Sequence, residues 1–493
     1  MAKVLFIIQR EELVSCRDVM AKILFPVETA FAAALLEQHG HETDCFDLYL
    51  AAPGAAWKDE LADRLRAFKP DLVVSAPQTL TFLVRESREE TREAFALAKG
   101  LLPGVTTVYT GPFATSYPAE AFAEVGPDAL VRGEYDVPLL AIATQVAAGT
   151  LATDAAQEGG VVLAGQDPAK VQPYVNKDLD ALPFPAYARF GLERYFDHRG
   201  EGNLRYAEMS RRYTHYTTSR GCPCQCCFCN VAFLRGGRLY RTRSVANVLD
   251  DLERLVREFG VEEVHLLDEN PTLNRRRTRE LCQGIIDRKL NLRWMGCAGV
   301  SVYSLDRETL ELLKASGCYR LHLAFESGDQ DVLKNIVKKP VDLVHGREVL
   351  GIARELDFEI VGYFVIGLPG ETKVQIGRTL ELARDPRFDY VTISIATPQA
   401  GTELERMCKE QGLVDKDAVL ADLSRRSTGV YETAQFTQQE LESFRWREWD
   451  QINFGTPAKV AKACRMLGVS PERLAEMRES TAANYRARWG DEG

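Results

Sequence analysis

The stretch RGCPCQCCFCN, residues 220–230, places five of the chain's twelve cysteines within eight residues. Cys222, Cys226 and Cys229 follow a C-x3-C-x2-C spacing. Three thiolates on one tight loop can bind three irons of a cubane cluster and leave one iron open, although protein clusters more usually take four. Zinc is the alternative, because Cys222, Cys224, Cys226 and Cys229 could supply four sulfurs. Zinc ribbons, however, usually pair two separated C-x2-C knuckles, and the sequence has only this one cluster.

The composition is that of an ordinary globular chain. Its 493 residues are 45% hydrophobic and 27% charged, which suits about two to four domains. The net charge of −10 disfavours broad binding to nucleic acid or to a membrane surface. The first residues, MAKVLFIIQREE, indicate a strand rather than a leader, and no apolar run reaches the ~18 residues of a membrane span. We expect a cytoplasmic protein with reduced thiols.

Residues 1–150 alternate between apolar runs and amphipathic stretches, which predicts five strands and five helices. Such alternation indicates a parallel sheet covered on both faces, with ligands at the carboxyl ends of the strands. Two of those ends carry loop signals, at Ser75–Thr79 and Thr110–Pro118. No GxGxxG follows the first strand, so a dinucleotide is not favoured. An α/β domain without a ligand is the alternative.

Residues 211–410 alternate in the same way and predict six strand–helix units. Six parallel units curl into most of a barrel, whose chemistry lies at the C-terminal ends of the strands. The first of these strands leads directly into the cysteines, which places them on that face. Residues 151–210 indicate a linker, because prolines flank Phe184. Residues 411–493 follow a helical pattern.

The cysteine loop resembles the cluster-binding loop of the radical S-adenosylmethionine (SAM) superfamily, whose members share a partial barrel of six strand–helix units. The spacing, the aromatic Phe228 before the last cysteine and the preceding strand all match. Further similar stretches follow in order: LLDENPTLN (266–274), AFESGDQDVLKNIVKK (324–339), GYFVIGLPGET (362–372) and TPQAGTELE (397–405). The resemblance implies a 4Fe–4S cluster on Cys222, Cys226 and Cys229, with SAM bound to the open iron and Cys224 and Cys227 as bystanders.

The same resemblance implies where SAM lies. Carboxylates after the second strand could hold its amino group by charge-assisted hydrogen bonds, the fourth-strand segment could reach its ribose or amino group, and the fifth-strand loop lies near the adenine. A solvated loop is the alternative for such polar strand ends. The residues expected at SAM are Phe228, Asp268, Glu269, Glu326, Ser327, Gly367 and Pro369. Tyr363 could donate a proton or a hydrogen atom inside the barrel, with packing as the alternative.

The stretch GPFATSYPAEAFAEVGPDALVRGEYD (111–136) resembles the cobalamin-binding domain that precedes many such enzymes. Phe113 stands where relatives often carry histidine, and no D-x-H-x-x-G stretch is present, since DHRG at 197–200 lacks its spacing. We therefore expect cobalamin without histidine ligation, and a degenerate domain that no longer binds it is the alternative. The expected contacts are Ser75, Gln78, Thr79, Thr110, Gly111, Pro112, Phe113, Ala114 and Glu134.

Together these stretches resemble the cobalamin-dependent radical SAM methyltransferases. That resemblance implies an α/β chain with a Rossmann-like cobalamin-binding domain (1–150), a linker (151–210), a partial (β/α)6 barrel (211–410) and a helical region (411–493). It also implies 4Fe–4S, SAM and cobalamin as cofactors, an external donor of the flavodoxin or ferredoxin type, and a small-molecule substrate rather than nucleic acid or membrane. A 5′-deoxyadenosyl radical would activate an unactivated carbon, and methylcobalamin would methylate it.

The substrate is less constrained than the cofactors. YTTSRGC, RTRSVANVLDDLERL and AFESGDQDVLKNIVKKP are similar to the phosphonate C-methyltransferase of fosfomycin biosynthesis. If a phosphonate is the substrate, Arg241 and Arg243 could clamp the anion, with a solvated or helix-start role as the alternative. A cobalamin radical enzyme that cyclises, contracts a ring or methylates phosphorus is the rival function. A methylthiotransferase is disfavoured, because Cys16 and Cys45 are too few for a second cluster. A zinc-binding module is the remaining alternative.

Overall fold

The computed structural model describes residues 1–10, 23–52, 54–77, 85–151, 159–196, 208–415 and 428–490. These residues divide into two compact units that alternate along the chain. Unit 1 takes the described residues up to 196 together with 231–243, and unit 2 takes 208–230 and those from 244 onwards. The boundaries differ from the predicted ones, because most of the expected linker and the segment after the cysteine loop belong to unit 1.

Unit 1 is built on a six-stranded sheet in the order β2-β1-β3-β4-β5-β6. The first five strands are parallel and match the predicted ones, whereas β6 lies antiparallel to β5 within the predicted linker. The strands are β1 Lys3–Ile8, β2 Glu42–Asp47, β3 Leu72–Ala76, β4 Thr106–Thr110, β5 Ala129–Val131 and β6 Val161–Leu163. The helices are α1 Val27–Gln38, α2 Trp57–Phe68, α3 Arg85–Leu101, α4 Pro112–Ser116, α5 Pro118–Val125, α6 Asp136–Ala148, α7 Leu192–Phe196 and α8 Val231–Leu234.

The strand order of unit 1 defines where a ligand fits. β1 pairs with both β2 and β3, so the order of the strands reverses at this point. Open parallel sheets bind ligands outside the carboxyl ends of the strands at such a switch point. Residues 11–22, after β1, and 78–84, after β3, lie outside the described residues, and the predicted contacts Gln78 and Thr79 are among them.

Gly133 shows why glycine occupies the second position of the Arg-Gly-Glu stretch after β5. Its backbone has φ +83°, and an added Cβ would lie 2.5 Å from the carbonyl oxygen of Tyr174. Only glycine combines this conformation with so close an approach of two chain segments. The neighbouring amide of Glu134 donates to the same Tyr174 carbonyl, at 3.1 Å. The stretch thus joins β5 to the segment that follows β6.

Unit 2 is built on a six-stranded sheet in the order β12-β11-β10-β9-β8-β7, with all pairs parallel. Sequential parallel strands alternating with helices are the arrangement of a partial barrel, as predicted. The strands are β7 Tyr213–Tyr216, β8 Glu263–Leu266, β9 Arg293–Gly296, β10 Cys318–Glu326, β11 Glu359–Ile366 and β12 Tyr390–Ile395. Ser219–Arg220 in unit 2 and Arg241–Thr242 in unit 1 form additional two-residue strands.

The helices of unit 2 begin and end where the sequence signals indicate. Ser244 caps α9 by accepting from the amide of Asn247, and Gly260 ends it in the left-handed conformation. The helices are α9 Val245–Phe259, α10 Arg275–Asp287, α11 Arg307–Ala315, α12 Leu343–Glu355, α13 Lys373–Ala383, α14 Glu403–Glu410, α15 Gln438–Phe454, α16 Pro457–Leu467 and α17 Pro471–Trp489. No helix in the described ranges combines the length and the apolar character needed to cross a membrane.

A buried carboxylate fills the amino end of the barrel sheet. Glu263, at the start of β8, is 0% exposed. It accepts from the amides of Met209 and Ser210 at 2.8 and 2.7 Å, from the Tyr319 hydroxyl at 2.6 Å, and contacts the His265 ring at 2.6 Å. Burial alone would raise the pKa of Glu263, but the hydrogen bond with His265 and the other contacts lower it below 4.5. The carboxylate therefore stabilises the folded state in its ionised form.

We predict that Glu263→Ala lowers the free energy of unfolding by about 3 to 5 kcal/mol at pH 7, because four groups, most of them buried, lose their shared partner. Since the folded pKa lies below the unfolded one, this contribution is complete above pH 4.5 and is lost as the pH falls through the folded value. The difference in stability between the variant and the wild type should therefore narrow in acid. Denaturant unfolding between pH 3 and 7 measures both, and an unchanged gap between them across this range would contradict the assignment.

Candidate active site

The cysteine loop is held by the backbone of one of its own cysteines. The Cys227 amide donates to the Val337 carbonyl at 3.0 Å, and the Cys227 carbonyl accepts from the Leu404 amide at 2.7 Å. The Cys227 side chain is 0% exposed, so it packs into the protein. Cys222, Cys224 and Cys226 are half-buried and Cys229 is exposed. The loop therefore presents the predicted ligands outward and keeps Cys227 inside, while Cys224 shares the accessible side.

The pKa values of the thiols do not separate ligands from bystanders. Hydrogen bonding to Cys224 together with burial raises the pKa of Cys222, and burial raises those of Cys226 and Cys227. Thiolates are the form that binds metal, so cluster assembly on this loop must release protons. In the described ranges no three His, Cys, Asp or Glu side chains surround a single metal ion; the three thiolates of a cubane instead bind separate irons.

Two carboxylates after β8 shape the chain that leads into the loop. Asp268 is 0% exposed and accepts from the Thr218 amide and hydroxyl at 2.9 and 2.6 Å and from the Ser219 hydroxyl at 2.5 Å. Glu269 accepts from the Gly221 amide at 2.9 Å. The structure gives Asp268 a structural role rather than the predicted contact with SAM, because its oxygens are buried and occupied. Glu269, which is half-buried, stays a candidate.

Asn270, Ser301 and Tyr303 line the loop as a polar wall. The Asn270 Nδ2 atom lies 2.8 Å from the Ser301 hydroxyl, 3.5 Å from the Tyr303 hydroxyl and 3.9 Å from the Cys222 sulfur. The Tyr303 hydroxyl lies 3.2 Å from the Cys224 sulfur. The Asn270 Oδ1 atom is buried and has no partner among the described residues. A buried acceptor of this kind fits a ligand that carries N–H groups.

The fourth-strand segment forms an ion pair close to the loop. The Glu326 carboxylate lies 2.7 Å from the Lys339 ammonium, and both side chains are largely buried. Burial alone would lower the pKa of Lys339, but Glu326 and Cys226 raise it, so the lysine stays charged. Ser327 is 0% exposed and contacts the Thr379 hydroxyl at 3.0 Å. The structure therefore favours structural roles for Glu326 and Ser327 over the predicted ribose contact.

The fifth-strand loop is held by a buried glutamate. Glu371 accepts from the amides of Gly367 and Leu368 at 2.7 and 3.0 Å, and the Gly367 carbonyl accepts from the Tyr431 hydroxyl at 2.6 Å. Burial raises the pKa of Glu371 to about 7, although the two amides lower it. Gly367 has φ +82°, and Pro369 is buried. Their backbone is thus fixed, as expected of a loop that contacts a base.

Two aromatic residues of the predicted site lie in different surroundings. Tyr363 stacks on His322 with 5.5 Å between ring centroids, and its hydroxyl donates to the Cys297 carbonyl at 3.2 Å. This arrangement supports packing, and the role as a hydrogen donor stays a prediction. Phe228 is half-buried between Cys227 and Cys229, next to the predicted ligands.

In unit 1 the predicted side chains at the strand ends point into the domain. Ser75 is 0% exposed and contacts Gln9 Nε2 at 3.0 Å and the Thr91 hydroxyl at 3.1 Å. The Thr110 hydroxyl donates to the Ser75 carbonyl at 3.1 Å. Pro112, Phe113 and Ala114 are also buried. Gly111 has φ +110°, and an added Cβ would lie 2.8 Å from Pro77. A ligand at this edge would therefore meet backbone rather than these side chains.

The position where relatives often carry histidine is filled by packing. The Phe113 ring lies 4.2 Å from the Arg88 guanidinium and 5.7 Å from the Tyr117 ring. The described histidines of unit 1 are His39 and His41, both immediately before β2. They lie at the amino end of that strand, and the His41 ring contacts the Ala2 amide at 3.2 Å. The carboxyl edge where a ligand fits carries no histidine among the described residues.

Sequence comparisons find the B12 binding domain over residues 17–143 and the radical SAM superfamily over residues 216–383. The cytidylyl-2-hydroxyethylphosphonate methyltransferase of Streptomyces wedmorensis is 28% identical, over 82% of this chain and 81% of the relative. The chain therefore combines a B12 binding domain with a radical SAM domain, and over most of its length it is similar to a methyltransferase. The enzyme's cofactors are therefore a 4Fe–4S cluster, SAM and cobalamin, and the prediction of these three is confirmed.

The chain is also similar to a cyclase in sequence and to a solved methyltransferase in structure. The anaerobic magnesium-protoporphyrin IX monomethyl ester cyclase of Cereibacter sphaeroides is 28% identical, over 72% of this chain and 55% of the relative. The radical SAM methyltransferase TsrM of Kitasatospora setae, solved with cobalamin and a 4Fe–4S cluster, has a TM-score of 0.72 at 18% identity and covers 98% of this chain and 100% of its own. The second likeness supports the fold.

The predicted anion clamp is not favoured by the structure of the enzyme. Both terminal nitrogens of Arg241 donate to Glu134, each at 2.8 Å, and the pair is buried. Glu134 also accepts from the Asn176 amide at 2.9 Å, so it serves this network rather than the predicted cofactor contact. The Arg243 guanidinium lies 5.0 Å from the Phe31 ring and is 2% exposed. Neither arginine presents its charge to solvent.

Sequence reasoning missed several residues that shape the site. Asn270 and Lys339 lie inside stretches that carried the resemblance, and the polarity of Asn270 shortly after β8 was the available signal. Tyr303 carries no local signal in the sequence. The same is true of Arg235, whose guanidinium lies 3.6 Å from the Glu134 carboxylate. Their positions depend on which elements become neighbours in the fold.

We predict that the cob(II)alamin form of the enzyme shows no protein nitrogen coupling to cobalt by electron paramagnetic resonance. The reason is that the described histidines of unit 1 lie at the opposite edge of the sheet from the ligand site. Uniform ¹⁵N labelling of the protein with unlabelled cobalamin should leave the spectrum unchanged. Replacing Phe113 by alanine should have no effect on the coupling, and an isotope-sensitive imidazole splitting in the wild type would contradict the prediction.

Proposed function

We propose that this enzyme methylates a carbon atom of a small-molecule substrate, and that Cys222, Cys226 and Cys229 ligate its cluster. The observation that carries the ligand assignment is the orientation of the loop. These three side chains are accessible to different degrees, whereas Cys227 is fully buried and its backbone anchors the loop. A three-thiolate set leaves one iron open, which is the requirement for binding SAM at the cluster.

Residues around the loop supply the remaining parts of the proposed SAM site. Glu269 and the unpartnered Asn270 Oδ1 offer acceptors beside the cysteines, which suits an amino group. Glu371 fixes the backbone of Gly367, against which a base can pack. When bound, the cofactors supply a 5′-deoxyadenosyl radical and a transferable methyl group, and the protein orients them and excludes water.

The substrate class is proposed from the relatives. The Streptomyces wedmorensis relative is named for a phosphonate substrate, so cytidylyl-2-hydroxyethylphosphonate is the first compound to assay. Arg241 and Arg243 do not support a phosphonate clamp, because both are buried among other partners. We propose that the enzyme acts in the cytoplasm, receives electrons from a small flavodoxin- or ferredoxin-type protein, and does not bind nucleic acid, in keeping with its charge of −10.

A second candidate function is radical cyclisation. The observation that favours it is the similarity to the magnesium-protoporphyrin ester cyclase at the same 28% identity. The two functions differ in the mass of the product, because methylation adds one methyl group and cyclisation does not.

We predict that replacing Cys222, Cys226 and Cys229 together by alanine abolishes the iron–sulfur cluster, because no three-thiolate set remains on the loop. Cys227→Ala and Cys224→Ala should each retain one cluster. Iron and sulfide analysis with Mössbauer spectroscopy after anaerobic reconstitution measures this. A cluster of equal content in the triple variant would exclude the assignment, and loss of the cluster in Cys224→Ala alone would make Cys224 a ligand.

We predict that each methyl transfer consumes two SAM molecules and yields near-equal S-adenosylhomocysteine and 5′-deoxyadenosine. One SAM is cleaved at the cluster, and the other restores the methyl group on cobalamin. Anaerobic turnover with a chemical reductant, product counting and mass spectrometry of the substrate test this. A product without added methyl mass would support cyclisation instead, and S-adenosylhomocysteine formed alone would indicate transfer without a substrate radical.

A further inference from the structure

We infer that Asn270 is a positioning residue that sets the reduction potential of the cluster by donating an N–H···S hydrogen bond to Cys222. This inference rests on the proposed ligation by Cys222. The Asn270 Nδ2 atom lies 3.9 Å from the Cys222 sulfur, and the Asn270 side chain is buried. Hydrogen bonds to the sulfurs are among the factors that set the potential of an iron–sulfur cluster.

The Cys222 thiolate selects the orientation of the Asn270 amide. Nδ2 lies 2.8 Å from the Ser301 hydroxyl, which itself follows the end of β9 by five residues. A reversed amide would place Oδ1, an acceptor, beside the Cys222 thiolate, which is also an acceptor. The amide therefore points its hydrogens at the loop, and the donor is built before any cluster is present.

The second contact of the polar wall is with a cysteine outside the proposed ligand set. Tyr303 lies 3.2 Å from Cys224, and Cys224 stands outside the C-x3-C-x2-C spacing. If Cys222 is a ligand and Cys224 is not, a change at Asn270 alters the cluster directly. A change at Tyr303 then acts only indirectly, through Cys224 or through its 3.5 Å contact with Asn270. The two residues thus provide a matched comparison within one wall.

A donor beside a thiolate stabilises the reduced cluster, because reduction adds negative charge. Removing the donor should therefore shift the potential to more negative values. Asn270→Leu removes the amide, and Asn270→Asp keeps the shape but places an acceptor beside the sulfur. We expect a negative shift in Asn270→Leu and a larger one in Asn270→Asp. Thr272→Val, in the same turn, is the control, because the Thr272 hydroxyl contacts Ser304 at 3.0 Å and no cysteine of the described part of the chain.

The test is potentiometry of the reconstituted holoenzyme, followed by electron paramagnetic resonance of the reduced cluster in the absence of SAM. We expect the reduction potential to be most negative in Asn270→Asp, less negative in Asn270→Leu and least negative in the wild type. Thr272→Val should have the wild-type potential, and Tyr303→Phe should shift it less than Asn270→Leu does. Wild-type potentials in both Asn270 variants at full cluster content would overturn the inference. A larger shift in Tyr303→Phe would also overturn it and point to Cys224 as the ligand.

A second measurement covers variants that fail to assemble a cluster. The wild-type enzyme labelled with ¹⁵N only in asparagine side chains should show a ¹⁵N coupling to the reduced cluster in pulsed spectra, and its absence would overturn the inference. If the wild-type enzyme assembles no cluster, the proposed function is refuted. If it assembles a cluster whose potential is the same in both Asn270 variants, only the role of Asn270 is refuted.

Discussion

The site depends most on the buried carboxylate of Asp268. It accepts three hydrogen bonds from Thr218 and Ser219, and these two residues connect β7 to the cysteine loop. A carboxylate buried at 0% exposure must be fully hydrogen-bonded to be tolerated, so its partners cannot move without a large cost in free energy. The start of the loop is therefore fixed with respect to the end of β8. The rest of the loop is then held by the backbone of Cys227.

Three other buried carboxylates fix irregular segments of the chain in a similar way. Glu371 holds the turn after β11, Glu263 holds the chain that enters β7, and Glu134 holds the segment around Asn176. Each carboxylate accepts backbone amides that no strand or helix satisfies. At Glu263, whose pKa is lowered, the carboxylate is ionised, and hydrogen bonds from backbone N–H groups to an ionised carboxylate are stronger than neutral ones. Loops that are stabilised in this way can present cofactors without a regular element of their own.

In parallel sheets ligands bind at the carboxyl ends of the strands, and the two units build this edge differently. In unit 1 the reversal of strand order at β1 defines one ligand edge, and the side chains there turn inward and leave backbone to meet a ligand. In unit 2 the strands run in sequence, and polar groups collect after β8 and β10. This difference suits the cofactors of the family. A nucleotide tail needs space and backbone contacts, whereas a cluster needs thiolates and a controlled set of polar neighbours.

The sequence by itself determined the elements, the order of the motifs and the candidate ligands. Strand–helix alternation predicted both parallel sheets because hydrophobic periodicity is a local property. The spacing of Cys222, Cys226 and Cys229 is local in the same sense. The tertiary structure alone decided which polar groups became partners, because that depends on residues far apart in the chain. Asp268 and Glu326 looked like ligands of SAM but meet Thr218 and Lys339, and Arg241 looked like an anion clamp but meets Glu134 across more than a hundred residues.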